Sequence, residues 1–382
     1  MQKQNIELAD VIKTFGKRLI QSKKLSPQQT KVLHNIVQCR TAALGGHKEA
    51  CDTCGIIRYS YNSCGDRHCP KCQLRKQTSW VEKLQNDVLP VMHYHIIFTV
   101  PHGLNDVCLW NDKLYYNLLF KATWDTLRSF GYTHYGVESG AIATLHTWGQ
   151  NLSLHPHIHC IVPAAGFGIK GQWKNIGKNN RFLFPVKQLS AAFKGKFLDG
   201  LKRILHKKNH SGFKSQIEKA YKTNWVVYCE APMSGVNQII KYLGQYTHRI
   251  AISNQRIKEI TQDKVRFLAK DYRDNATQKL VEMSGVEFLR RFIQHILPKG
   301  FVRIRRFGIY NASTKRNLDL QFVSAKSDLE LLLIKKAKKE KAMPSRKCCP
   351  VCKNGTMVCI DELPRIRSPA GHLPTILFAT LY

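Results

Sequence analysis

Residues 154–163 read LHPHIHCIVP, with three histidines at alternate positions just where an apolar run begins. In a strand, side chains two residues apart share a face, so a strand entering Ile158 to Val162 turns His155, His157 and His159 the same way. Two imidazoles on one strand form a rigid pincer that needs one or two further groups to hold a metal ion, and neutral imidazole suits Zn, Cu, Fe, Ni or Mn. The competing reading is a histidine-rich turn leading into a buried strand, which gives three histidines in register no role.

Immediately upstream, VESGAIATLHTW (137–148) alternates as a strand and turns through GQNLS into the histidine stretch, so the two are expected to pair as a hairpin. In that pairing His146 faces His157 and His159 and becomes the favoured third ligand. His155 is the alternative, its direction less defined beside Pro156. A second His-x-His lies in VMHYHIIFTVP (91–101), whose alternation puts His93, His95, Ile97 and Thr99 on one face. It carries an aromatic between its histidines and no upstream histidine on a pairing strand. His95 is therefore expected beside the site rather than in it.

Further out, DKLYYNLLFKATWDTLRSF (112–130) reads as an amphipathic helix with Asp112 at its start and Gly131 as its stop. Residues 186–210 read as a basic helix and NWVVYCE (224–230) as a strand. The stretch SGVNQIIKYLGQYTHR (234–249) reads as a helix that puts Tyr242 and Tyr246 on one face. A phenol is a capable oxygen nucleophile where a metal polarises the bond it attacks, although tyrosines at helical spacing also serve as half-buried packing residues. Beyond it come a basic hairpin (248–270), a helix EFLRRFIQHILPKG and a strand VRIRRFGIY. Arg249, Arg256, Arg266, Arg303, Arg305 and Arg306 alternate with apolar positions, as in strands with one face on a core and one toward phosphate.

Sixty Lys and Arg against 26 Asp and Glu give a net charge of +34 over 382 residues, the footprint of a nucleic-acid partner. An acidic membrane surface is the rival explanation. Against it stand the lack of an apolar run of spanning length, of a signal peptide and of a lipidation motif, so a cytoplasmic, nucleoid-associated protein without a membrane partner is expected. The length implies two or three domains.

Ten of the 13 cysteines crowd into two short stretches, which suits metal binding better than disulfides. After two N-terminal helices, the second capped by Ser26 and Pro27, residues 39–73 carry CxxC pairs at Cys51/Cys54 and Cys69/Cys72. Two such knuckles fourteen residues apart predict one four-thiolate structural zinc. Cys39, His47, Cys64 and His68 remain for a second zinc or a replaced ligand. The basic residues of this module, Arg58, Arg67, Lys71, Arg75 and Lys76, suit DNA contact. Near the end, the basic linker KKAKKEKAMPSRK precedes CCPVCKNGTMVC, whose Cys349/Cys352 pair is a weaker zinc signal flanked by Cys348 and Cys359. The apolar ending LPTILFATLY is too short to span a membrane.

Taken together, CRTAALGGH, SYNSCGDRHCPKCQ, HIIFTVPH, LHTWGQNLSLHPHIHCIVP, YLGQYTHRIAISNQRI and ILPKGFVRIRRFG occur in an order that resembles the two-tyrosine HUH rolling-circle transposases of the insertion-sequence-ninety-one family. The resemblance implies an α+β fold: an HUH endonuclease core of antiparallel sheet with helices packed on it, after a small helical zinc-binding domain. It divides the chain into a helical and zinc-binding part (1–90), a catalytic domain (91–312) and a basic linker with a cysteine-containing tail (313–382). By resemblance, His157 and His159 are ligands of a catalytic Mg2+ or Mn2+, His146 is the third ligand by analogy with conjugative relaxases, and Tyr242 and Tyr246 are the paired nucleophiles. Arg249, Arg256, Arg303, Arg305 and Arg306 are expected to contact DNA. The implied activity is nicking and joining of single-stranded DNA at the ends of a mobile element and at its target, through a 5′-phosphotyrosine. Rival readings are a plasmid replication initiator or relaxase, a non-catalytic zinc DNA-binding protein, and a phosphohydrolase that uses water.

Overall fold

The computed structural model describes residues 6–73, 89, 91–176, 183–230, 250–271, 274–311, 314 and 348–366. The expected helix over 234–249, the linker 335–347 and the apolar ending lie outside these residues. In the first half of the chain the elements are α1 (Leu8–Ser22), α2 (Pro27–Gln38), β1 (Gly46–Cys51), β2 (Ile57–Tyr61), β3 (His93–Thr99), α3 (Asn105–Trp110), α4 (Asp112–Tyr135), β4 (Val137–Glu138), β5 (Gly140–Trp148), β6 (Leu154–Pro163), β7 (Ala165–Gly168) and β8 (Trp173–Asn175). Then follow α5 (Val186–Lys207), α6 (Lys214–Lys222), β9 (Val227–Cys229), β10 (Ile257–Ile260), β11 (Lys264–Asp271), β12 (Thr277–Ser284), α7 (Gly285–Ile293), β13 (Ile304–Gly308) and β14 (Met357–Leu363). Among the described residues no helix is long and apolar enough to cross a membrane.

The chain forms two compact units, one of residues 1–76, 252–296 and 332–382, the other of residues 77–251 and 297–331. This differs from the consecutive division at 90 and 312. Periodicity records which face of an element is apolar, but not which distant element covers it.

In the second unit an antiparallel sheet runs β13-β5-β6-β3-β9. One face presents Tyr94, Ile96, Phe98, Ile158, Cys160 and Val162 to a core shared with Tyr116, Leu119 and Phe120 of α4 and Phe193 and Phe197 of α5. The alternation of β3 and β6 leaves their histidines on the opposite face. Helix α4 passes the expected stop at Gly131 and ends at Gly136, which adopts the left-handed conformation at φ 63° and closes the last turn on Tyr132 O at 2.9 Å. Gly131 has another use: a Cβ there would lie 2.8 Å from Val137 O. The strand expected over 137–148 divides, with β4 pairing with β7 in a small separate sheet and β5 entering the main one.

In the first unit, α1 buries Leu8, Val11, Ile12, Phe15 and Leu19, and α7 buries Phe288, Leu289, Phe292 and Ile293. Phe15 sits against Gly285, whose backbone leaves no room for a Cβ beside that ring. The sheet β10-β11-β12 adds Val265 and Phe267. Its hairpin was legible from the basic stretch 248–270, whereas β12, almost wholly exposed, lacks the alternation that marks a half-buried strand.

Phe98 is fully buried and meets the Phe193 ring edge-on at 5.0 Å. Phe98→Ala is expected to cost about 3–5 kcal/mol in urea unfolding, and Tyr228→Ala, at the exposed position of β9, less than about 0.5 kcal/mol. Equal losses would remove Phe98 from the core of this unit.

Candidate functional site

Strands β5 and β6 pair so that His146 lies directly opposite His157 and Thr144 opposite His159. On the other side of β6, β3 places Ile97 opposite His159 and Thr99 opposite His157. Directly paired residues share a face, so the register gathers the imidazoles onto the face away from the aromatic core. Ring centroids stand 4.4 Å apart for His146 and His159, 4.9 Å for His157 and His159, and 5.4 Å for His146 and His157. One ring nitrogen from each of the three comes within 4.8 Å of the other two. His155 lies outside this group, with its ring 5.0 Å from that of His102.

Two hydrogen bonds orient these rings. His157 Nδ1–H donates to the carbonyl of His155 at 2.6 Å, which leaves Nε2 as its lone-pair side. Burial pushes His157 down to about 3, so it is neutral, the form that binds metal. His159 is held through a longer path. The Glu230 carboxylate, just past β9, accepts from His95 Nδ1–H at 2.9 Å. With that proton on Nδ1, His95 Nε2 accepts from His159 Nδ1–H at 2.9 Å, the two rings being nearly parallel at 6°. A carboxylate that orients a histidine through its distal nitrogen is the usual support of a metal ligand. His95 thus lies beside the three-histidine group, as expected, and is hydrogen-bonded to one of its members. Glu230 was not singled out in the sequence, because a single acid after a short strand carries no periodic signal. His93 turns away, bonded to Val91 O at 2.7 Å and Tyr310 Oη at 2.5 Å, and burial lowers it to about 4.

The cysteines group otherwise than expected. Cys51, Cys54, Cys69 and Cys72 do not come together. Cys69 and Cys72 join Cys39 and Cys64, while Cys51 and Cys54 join Cys349 and Cys352. Sequence spacing suggested one site because both CxxC pairs lie in one stretch, but β1 carries its pair toward β14 instead. His47 and His68 belong to neither group; His68 is bonded to Asp66 at 3.0 Å.

Of the arginines, Arg305 is half-buried, 4.2 Å from the Phe120 centroid and bonded to Asn117. Arg256 donates to Leu268 O at 2.7 Å. Both have partners inside their own unit. Arg303 and the exposed Arg306 flank Arg305, Arg306 within β13. Arg249, Tyr242 and Tyr246 lie outside the described residues.

Comparison with known proteins identifies the family. Residues 140–317 match a family model described as "Putative transposase" and residues 11–100 one described as "Transposase zinc-binding domain". The chain is 39% identical to "Putative transposase y4qJ" of Sinorhizobium fredii over 97% of its own length and 98% of that protein's. It is 28% identical to the transposase for insertion sequence element IS801 of Pseudomonas savastanoi pv. phaseolicola, over 76% of this chain and 72% of that one. Among solved structures, a metal-bound conjugative relaxase TrwC in complex with OriT DNA aligns over 59% of this chain and 95% of its own, at 10% identity and a TM-score of 0.25. The protein is a DNA-processing enzyme of the transposase class, with a structural zinc-binding domain at its N-terminus. It belongs to the IS91 family of rolling-circle transposases.

The hydrogen-bond pattern predicts that His157 and His159 both carry their proton on Nδ1. Long-range 1H–15N spectra of the imidazoles check this, and an Nε2–H tautomer at His159 would break the proposed Glu230 chain.

Proposed function

We propose that this transposase nicks and rejoins single-stranded DNA at the ends of its element and at the target by tyrosine transesterification, using Tyr242 and Tyr246 as nucleophiles. The observation that carries the reading is the convergence of His146, His157 and His159 on one face of the β5–β6 hairpin. The donor set fits a divalent cation: three imidazoles, His157 held neutral by burial, with Nδ1 of His157 and of His159 already engaged. These three would hold Mg2+ or Mn2+. When bound, such an ion polarises a non-bridging phosphate oxygen and stabilises the departing 3′ oxygen.

The remaining work falls to the chain. A tyrosine hydroxyl oxygen forms a bond to phosphorus as the bond from phosphorus to the 3′ oxygen breaks. The phenol proton is lost to solvent, and the 3′ oxygen leaves as a free 3′-OH after taking one up. The enzyme then carries a 5′-phosphotyrosine that conserves the bond energy for rejoining, and the second tyrosine serves the other end without release. Arg249, Arg256, Arg303, Arg305 and Arg306 would contact the strand, Arg256 and Arg305 also bracing their own units. In the N-terminal domain, Cys39, Cys64, Cys69 and Cys72 would hold the family's zinc, with Cys39 and Cys72 Sγ 3.5 Å and Cys64 and Cys72 Sγ 3.6 Å apart.

Labelled single-stranded oligonucleotides carrying the element's ends, incubated with the protein and Mn2+, are expected to yield an adduct that survives denaturation. Tyr242→Phe with Tyr246→Phe should abolish it, and His157→Ala should reduce it by about a hundredfold or more. Release of a free 5′-phosphate without adduct would replace the tyrosine mechanism with hydrolysis.

A further inference from the structure

Cys349 and Cys352 lie outside both family matches, which cover residues 11–100 and 140–317. Nevertheless they meet Cys51 and Cys54 across almost three hundred residues of chain: Cys51 and Cys352 Sγ are 3.7 Å apart, as are Cys54 and Cys349 Sγ. Four sulfurs around one Zn2+ at about 2.3 Å form a tetrahedron with edges of about 3.8 Å.

The surrounding backbone is shaped for thiolates. Thr53 and Cys54 N–H point at Cys51 Sγ, both at 3.4 Å, and Gly355 N–H points at Cys352 Sγ at 3.4 Å. Such N–H groups stabilise negative sulfur and orient it. Gly355 closes the cradle, since a Cβ there would collide with Cys51 Sγ and lie 2.6 Å from Thr53 Oγ1. Asp52 ties the two loops together, its N–H donating to Thr356 O at 3.1 Å and its Oδ1 accepting from Thr356 N–H at 2.8 Å.

Energetics also require something besides apolar burial. The sheet β14-β1-β2 has β2 and β14 exposed over most of their lengths. A three-stranded sheet needs a hydrophobic face or a packed helix to be stable, and this pairing also closes a very long loop. A bound metal supplies the missing free energy.

We propose that Cys51, Cys54, Cys349 and Cys352 form a second, four-thiolate zinc site, distinct from the Cys39 cluster, that clasps the C-terminal strand β14 onto the N-terminal domain. Binding one Zn2+ displaces the four thiol protons, leaving a complex of net charge −2. The site is independent of the tyrosine chemistry.

Metal content and native mass of the purified full-length protein test it. The wild-type chain is expected to carry two Zn2+, Cys349→Ser with Cys352→Ser one, and Cys348→Ser with Cys359→Ser two. A single Zn2+ in wild type, or two retained in the first variant, overturns the proposal. Alkylation of the wild-type protein needs no variant. Cys54 is exposed, as are Cys348 and Cys359, but zinc-bound Cys54 should react on the order of tenfold slower than those two until a chelator is added. Equal rates before the chelator would also overturn it.

Discussion

The register between β5 and β6 governs the histidine-bearing unit. Because side chains alternate, the pairing that sets Leu145 against Ile158 in the core also sets His146 against His157 on the opposite face. A slip of one residue would drive imidazoles into the aromatic core and expose leucine and isoleucine. Packing against α4 and α5 therefore determines the position of the histidines without touching them. The geometry of the histidine cluster is inherited from the hydrophobic effect on the other side of a single sheet.

Polar groups on that face are costly to bury, and the structure meets the cost with directed hydrogen bonds. His157 leans on its own strand through the His155 carbonyl, whereas His159 leans on a neighbouring strand through His95 and finally on Glu230. Burial keeps His157 neutral. The Glu230 carboxylate lies at the open end of the path, with its side chain about a third exposed. Orientation is thus provided from a distance, through His95, with the carboxylate kept outside the histidine cluster.

The N-terminal unit solves a different problem. Its α1–α7 contact and the β11 face provide an ordinary core, but its cysteine-bearing sheet buries little. Two tetrads of sulfur stand in for the missing apolar surface. One lies within the zinc-binding domain, and the other gathers its members from both ends of the chain. Cysteine ligands suit such a place, since a metal bond needs neither a large interface nor a continuous segment.

Much of this was legible in the sequence for a definite reason. Alternation in LHPHIHCIVP, the GQNLS turn and the capped N-terminal helix at Ser26 are short-range signals. The β5–β6 hairpin follows from them because its partners are adjacent, and the gathering of His146 with His157 follows from the hairpin. What sequence order concealed was long-range. The second His-x-His stays outside the ligand group, as expected, but its bond to His159 became visible only with β3 beside β6. Glu230 gave no pattern at all, and the two CxxC pairs of one stretch appeared to belong together. Local periodicity and turn chemistry determine which face a residue occupies. Only the closed tertiary structure decides which distant residue meets it, because that choice rests on the burial of surface shared between segments far apart in the chain.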